Sequence, residues 1–254
     1  MSVTSTVSGS VALVTGSNRG IGRAFVDELL SRGATKVYAG VRNPDVDGVD
    51  LGLERVEVVQ LDVTDADSVA AAARKCTDVD LLINNAGYFA NERLVLTDDI
   101  RAARDEMEVN YWGTLSMIRS FAPILDSNGG GTIVNVLSVA GAVPAAFMGG
   151  YSTSKAAALF LSVIARAELA AQHTSVTALI VGSVDTRMAA HVEGNKEDPR
   201  DIACAGLDGV ERGDLTVDTD AMAAGTRAAH AADPERLERQ LARLLTVETL
   251  RTPE

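Results

Sequence analysis

The stretch that most restricts how this chain can fold runs from Val11 to Leu30. Val11-Ala12-Leu13-Val14 is a short apolar run that ends in Thr15-Gly16-Ser17-Asn18-Arg19-Gly20-Ile21-Gly22, and apolar residues then recur at helical spacing from Ile21 to Leu30. The implied order is strand, tight turn, helix. Glycines at this GxxxGxG spacing permit the turn, close backbone approach to a pyrophosphate and contact between helix and sheet, while the first amides of the helix attract the anion. An ordinary glycine-rich loop would have the same composition. On the nucleotide reading, Gly16, Ser17, Asn18, Arg19, Gly20, Ile21 and Gly22 are the cofactor-binding candidates.

The rest of the chain repeats the alternation. Further strands are expected at Lys36 to Val41, Val56 to Leu61, Val79 to Ile83, Thr132 to Leu137 and Val176 to Val181, with Asp45 to Arg55 a loop. Helical patterns occupy Leu96 to Leu125, with Pro123 as a stop signal, and Tyr151 to Ala171, Thr219 to Ala232 and Glu235 to Leu245. Gly141 to Gly150 reads as a loop, and the polar stretch His191 to Asp201 as a lid. Six strands alternating with helices specify an α/β fold with a doubly wound parallel sheet in three α/β/α layers, one domain over residues 1–254 with a substrate-lid region around 183–215.

That topology gathers chemistry on the carboxyl edge of the sheet. Arg42 follows the second strand where an acid would bind ribose hydroxyls, and Arg19 could close on the same 2′-phosphate; the pair points to NADP, although both could be solvated surface charges. Asp62 ends the third strand and could accept a bond from an adenine amino group, and Asp65 could cap the following helix. Asn84, Asn85, Ala86 and Gly87 end the fourth strand, small enough to lie flat against a cofactor or simply to turn. Ser138 follows the fifth strand, and Asn110 sits inside a helix where a hydrogen-bonding role is in question. Tyr151-Ser152-Thr153-Ser154-Lys155 puts a phenol and an ammonium one above the other on a helix face. A cation beside a phenol lowers its pKa toward neutrality, unless Tyr151 is only a core aromatic and Lys155 a surface charge.

Composition narrows the partners. Net charge is −12, which disfavours nucleic acid and anionic membranes, and no apolar run reaches membrane-spanning length. Cys76 and Cys204 are far apart in sequence, and His173, His191 and His230 are scattered, so neither a disulfide framework nor a metal site is expected. Met1 to Ser10 lacks the pattern of a signal peptide, and a cytoplasmic location is expected.

Taken together, Thr15-Gly16-x-x-x-Gly20-Ile21-Gly22, Asp62-Val63, Asn84-Asn85-Ala86-Gly87, Asn110, Ser138, Tyr151-x-x-x-Lys155 and Gly182-x-Val184-Asp185-Thr186 resemble the short-chain dehydrogenase/reductase family, over nearly the whole chain. The resemblance implies a Rossmann fold and a catalytic tetrad of Asn110, Ser138, Tyr151 and Lys155. Ser138 would hold a substrate carbonyl and Tyr151 would protonate it as hydride arrives. Lys155 would bind the nicotinamide ribose and lower the tyrosine pKa, Asn110 would position a water, and Thr186 would bind the carboxamide. Val63, Ala86, Gly87 and Val184 would complete the cofactor site. The implied activity is that of an NADP-dependent carbonyl reductase (ketoreductase) or alcohol dehydrogenase acting on a small-molecule ketone, aldehyde or secondary alcohol, as a homodimer or homotetramer. The alternatives are a non-catalytic NADP-binding regulator and an NAD-dependent alcohol or hydroxysteroid-type dehydrogenase. Two departures from the family pattern stand out: Val181 replaces the usual proline, and the C-terminus, a charged helical pattern over Glu235 to Glu254, lacks a Gly-rich seventh strand.

Overall fold

The computed structural model describes residues 7–47 and 54–246. Seven strands form one sheet: β1 (Val11–Thr15), β2 (Lys36–Val41), β3 (Val56–Gln60), β4 (Leu81–Asn84), β5 (Gly131–Val136), β6 (Thr174–Ile180) and β7 (Thr216–Asp218). Their order is β3-β2-β1-β4-β5-β6-β7, and all neighbours run parallel. The helices are α1 (Gly20–Ser31), α2 (Pro44–Asp47), α3 (Ala66–Lys75), α4 (Arg101–Met107), α5 (Thr114–Ser127), α6 (Val139–Ala142), α7 (Gly149–Glu168), α8 (Pro199–Arg212), α9 (Ala221–Ala232) and α10 (Pro234–Ala242). Strand order reverses between β1 and β4, so the crossovers on either side diverge and open a crevice over the carboxyl ends of these strands.

The period of two along each strand divides the core. Ala12 and Val14 pack with Phe25, Val26 and Leu29 of α1 and with Ile202, Leu207 and Val210 of α8. Leu13, between them, turns to the other face and joins Met117, Phe121 and Leu125 of α5 and Leu161 and Ala165 of α7. Each fully buried Leu or Phe contributes about 2 kcal/mol, and the result is helices on both faces of the sheet, the three-layer arrangement expected.

Several local expectations change. The sheet has a seventh strand after all: Thr216, Val217 and Asp218 pair with Ala178, Leu179 and Ile180 of β6. Only Val217 of the three is buried, too brief an apolar signal to see in sequence. Gly209 of α8 lets Val217 in, since a Cβ there would collide with its side chain. Pro123 lies inside α5 rather than ending it; Phe121 and Leu125 anchor both sides of it in the core, and the Ser127 hydroxyl donates to the Pro123 carbonyl at 2.8 Å. The long helix expected from Leu96 begins at Arg101 and passes through a π-helical segment, Glu108–Gly113, that contains Asn110. Gly141 to Gly150 holds the end of α6, a 3₁₀ turn at Ala146–Met148 and the start of α7. Asp65 caps α3, accepting from the Asp67 amide at 3.0 Å, as anticipated. The Asp45 to Arg55 stretch opens within α2, and 48–53, like 1–6 and 247–254 of the terminal segments, lies outside the described residues. No helix among the described residues is long and apolar enough to cross a membrane.

Candidate functional site

The crevice floor is built by backbone in contact with backbone. Gly16 and Gly20 have φ of +64° and +54°, values that a side chain rarely tolerates. A Cβ on Gly16 would stand 3.1 Å from Ala86 Cα, one on Gly20 3.1 Å from Thr186 Cγ2, and one on Gly22 would collide with the Gly16 carbonyl. Asn85 locks this turn to the end of β4: its Nδ2 donates to Thr15 O at 2.9 Å and Gly16 O at 3.2 Å, while the amides of Asn85 and Ala86 both donate to Thr15 Oγ1 at 2.9 Å. Ser17 and Asn84 belong to the frame beneath the crevice rather than to its surface. Ser17 is wholly buried with its hydroxyl donated to Gly40 O at 3.2 Å, and Asn84 donates to Asn135 Oδ1 at 2.8 Å within the sheet.

Around the rim lie the other nucleotide candidates. Asn18 is half-buried, and Arg19 and Arg42 are exposed, neither joined to an acid in an ion pair among the described residues. Asp62 Oδ1 accepts from the Thr64 amide at 2.9 Å and its hydroxyl at 2.7 Å. Val63 is buried against Gly113, where a Cβ would stand 2.7 Å from Val63 Cγ2. Val184 pairs with Glu197 in an isolated bridge, and the Thr186 hydroxyl is 3.4 Å from Val184 O.

The first turns of α7 carry the reactive candidates, and the four-residue step holds. Tyr151 and Lys155 are both buried, with Lys155 Nζ 5.8 Å from the Tyr151 ring centroid and donating to Val136 O at 2.9 Å. Ser138 caps α6, accepting from the Ala140 amide at 3.1 Å, and its side chain faces the Tyr151 phenol closely enough to favour the ionised form. Gly87 closes the group: a Cβ there would be 3.3 Å from Asn110 Oδ1 and 3.5 Å from Lys155 Nζ. Asn110 is held by the Tyr88 amide and carbonyl and by Ser154 Oγ, each at 2.9 Å. So Asn110, Ser138, Tyr151 and Lys155 converge, from a π-helical segment, a strand end and one helix.

Their electrostatics differ from the sequence expectation. Burial pushes the Tyr151 phenol up to about 12; the Ser138 side chain opposes this and the Glu106 carboxylate adds to it. Burial pushes Lys155 down to about 8. Two polar groups withdrawn from water each resist charge, and at 5.8 Å, with its amine anchored on Val136, the lysine does not reverse that.

Beyond these lies a second wall, where the Gly141 to Gly150 loop and His191 meet Phe89, a residue the sequence did not mark. Phe89 meets the Tyr151 ring edge-on at 5.1 Å and His191 at 5.6 Å. Phe147, Met148 and Ala145 complete this apolar cluster. Ser152 donates to Ala140 O and accepts from the Ala145 amide at 3.1 Å, fastening the loop before α7. Asp220 accepts from the Gly182 amide at 2.7 Å, so the turn after β6 is held from α9 despite Val181 in place of proline. These clamps join residues 7 to 38 positions apart, beyond the repeat of a helix or strand, which is why no local pattern announces them.

A dinucleotide fits this frame. α1 begins with no side-chain cap and no acid in its first turn, which leaves its opening amides free for an anion. Those amides, of Gly20, Ile21 and Gly22, belong to the glycine turn itself, the donor arrangement a pyrophosphate requires. Adenine would lie toward Asp62, and a nicotinamide toward Gly87, Tyr151, Lys155 and Thr186.

Residues 10–197 match the family described as short chain dehydrogenase. The short-chain dehydrogenase PC-15 of Penicillium crustosum is 38% identical over 182 residues, which are 68% of this chain and 65% of that protein. The short-chain dehydrogenase cctT of Talaromyces islandicus is 34% identical over 197 residues, 75% and 66% respectively, so the match spans just under two thirds of either relative. Among solved structures, a short chain dehydrogenase from Burkholderia cenocepacia J2315 in complex with NADP shares 43% identity at a TM-score of 0.89, covering 93% of this chain and 98% of that one. A Burkholderia phymatum short chain dehydrogenase/reductase in complex with NAD, at 24% identity and a TM-score of 0.79 over 91% of this chain and 96% of that one, shares the fold.

Proposed function

The chain belongs to the short-chain dehydrogenase family, and from that premise we propose that it transfers hydride between NADP(H) and a small-molecule ketone, aldehyde or secondary alcohol, as a carbonyl reductase or alcohol dehydrogenase. The observation that carries this is the meeting of the Ser138 and Tyr151 hydroxyls one helical turn from Lys155, beside Gly87. NADP rather than NAD is supported by Arg19 and Arg42 at the ribose end, whose guanidinium groups suit a 2′-phosphate, and by the NADP-bound relative from Burkholderia cenocepacia.

When bound, NADP(H) supplies the hydride. Ser138 then holds the substrate oxygen against Tyr151, and Tyr151 gives it a proton. A phenol held near 12 is protonated at neutral pH, which makes it a donor and favours the reductive direction. Lys155, whose amine donates to the Val136 carbonyl beside Gly87, would hold the nicotinamide ribose. Asn110 keeps the loop after β4 in place beside both. The substrate enters between Phe89, Phe147 and Met148 on one side and the 183–198 segment on the other, since α8 is anchored in the core by Ile202 and Leu207. An apolar wall of this kind selects ketones with apolar or aromatic substituents. Phe160, 72% exposed, with Val163 and Ile164 on the outer face of α7, supports a homodimer or homotetramer.

The test is NADPH oxidation against a panel of aromatic and aliphatic ketones, with NADH in parallel. Turnover with NADPH preferred is expected, and Tyr151→Phe should lower kcat about a thousandfold while leaving NADPH binding intact. Tight NADPH binding without turnover of any carbonyl or alcohol would instead mark a cofactor-sensing regulator.

A further inference from the structure

Glu106 is a buried carboxyl behind the Tyr151 phenol. It lies in α4, 1% exposed, in no ion pair among the described residues, and one turn before Asn110. The two side chains reach the same short stretch of chain. Asn110 takes both backbone groups of Tyr88, and Glu106 Oε1 accepts from the Ala90 amide at 2.9 Å. Phe89 is thereby held between two fixed residues, with its ring against Tyr151. The second oxygen, Oε2, occupies the space beside Gly150 at the opening of α7, where a Cβ would collide with it. That helix has no side-chain cap of its own and no acid in its first turn.

We propose that Glu106 is the positioning residue for Tyr151, its carboxyl bonded to the Phe89 loop through Oε1 and packed against the first turn of α7 behind the phenol. An ordinary packing residue would be apolar at a site so enclosed, because an unpaired acid here costs folding free energy. The groups facing it are Glu92 on the same loop and Tyr151 on α7, both of which disfavour its charge or are disfavoured by it, and burial acts in the same direction. Burial first, and then Glu92, raises its pKa from the ordinary glutamate value, and its negative charge in turn opposes formation of the phenolate. The tie is therefore geometric and electrostatic at once.

Glu106→Gln and Glu106→Leu in the full chain separate these effects. Following the Tyr151 phenol by NMR with Cζ-labelled tyrosine, assigned through Tyr151→Phe, requires no turnover. Its failure is thus distinguishable from failure of the NADP-dependent reading, on which the kinetic arm rests. Glu106→Gln keeps an oxygen for Ala90 and removes the charge; Tyr151 should begin to titrate at lower pH, with kcat within about threefold of the parent. Glu106→Leu releases Ala90; the Tyr151 signal should move and kcat fall about tenfold or more, while the NADPH dissociation constant stays within about twofold. An unchanged Tyr151 signal and pH response in both variants, or parallel loss of NADPH binding and kcat in Glu106→Leu, would overturn the proposal and leave Glu106 a packing residue.

Discussion

The two walls of the crevice are held by opposite means. On the nucleotide side, glycines leave no room beside neighbouring main chain, and Asn85 locks the turn: besides Gly16–Gly22, a Cβ on Gly40 would be 3.0 Å from Val14 O and 2.9 Å from Leu61 Cδ2. On the substrate side, side chains clamp loops, with Asn110 on Tyr88, Glu106 on Ala90, Ser152 on Ala145 and Asp220 on Gly182. The first wall cannot admit one more carbon without moving backbone. The second is a set of separable hydrogen bonds, each worth about 1 kcal/mol, that can be altered singly while the sheet stands. A surface made from backbone has one shape, and a surface made from clamps can be retuned.

Gly22→Ala strikes the first wall where it has least room, between Gly16 O and Asn85 Nδ2, the latter 2.5 Å from the added carbon. Neither neighbour is the free end of a flexible chain, so the added methyl should destabilise the fold by about 3 kcal/mol and abolish NADPH binding. Denaturant melts and a fluorescence titration with NADPH measure both. A variant that melts and binds like the parent would show that this wall also yields, and the contrast would fail.

Legibility in sequence follows the same division. The glycine turn is readable because backbone at φ of +64° and +54° asks for glycine, and the Tyr151–Lys155 step because helix geometry alone aligns residues four apart. The clamps are not readable: the bond from Ala90 to Glu106 spans 16 residues, and nothing in the local pattern of either segment requires it. Ser17 and Asn84 sit within the motif yet turn into the frame, since neighbouring residues of a tight turn face opposite ways. β7 escapes because its single buried residue, Val217, makes no alternation. The phenol's acidity escapes for another reason, because spacing places two groups together but says nothing of how far both are withdrawn from water.

Lys155 stands where the walls meet, near Gly87 of one and Tyr151 of the other, and its charge tests their junction. Burial lowers its pKa from 10.5 to about 8, so the fold prefers the neutral amine. Stability should be greatest above the unfolded value of 10.5, fall as pH drops toward about 8, and stay level below that. The difference corresponds to about 3 kcal/mol opposing the fold at neutral pH. Lys155→Met removes it but strands the Val136 carbonyl, which costs about 1 kcal/mol, leaving a net gain of about 2 kcal/mol with loss of catalysis. Melting temperature against pH reads the first effect. In the parent, reduction should decline as pH passes about 8 and the amine loses its proton, with Tyr151 still protonated. A variant less stable than the parent at pH 7 would mean that Lys155 is solvated through the crevice rather than buried at the junction.

The smallest effect expected is also the most selective between the walls. Lys196 Nζ lies 3.5 Å from Asp185 Oδ1, with Asp185 72% exposed, and 3.3 Å from Ala189 O. Beside it the Asp185 amide donates to Glu197 O and the Glu197 amide to Ser183 O, both at 2.9 Å, so that 183–198 closes on itself as a loop over the apolar cluster. An ion pair this open contributes no more than about 0.5 kcal/mol, and Lys196→Ala should leave the melting temperature nearly unchanged. Loosening the loop acts on whatever it covers. The KM for a ketone substrate should rise about threefold with kcat and the NADPH dissociation constant unaltered, the signature of lost ground-state binding. Raising salt to about 0.5 M should move the parent's KM toward that of the variant, because screening weakens the same pair. Were the NADPH dissociation constant to rise instead, the 183–198 segment would belong to the nucleotide wall, and the boundary between rigid and adjustable halves would have to be redrawn through Val184.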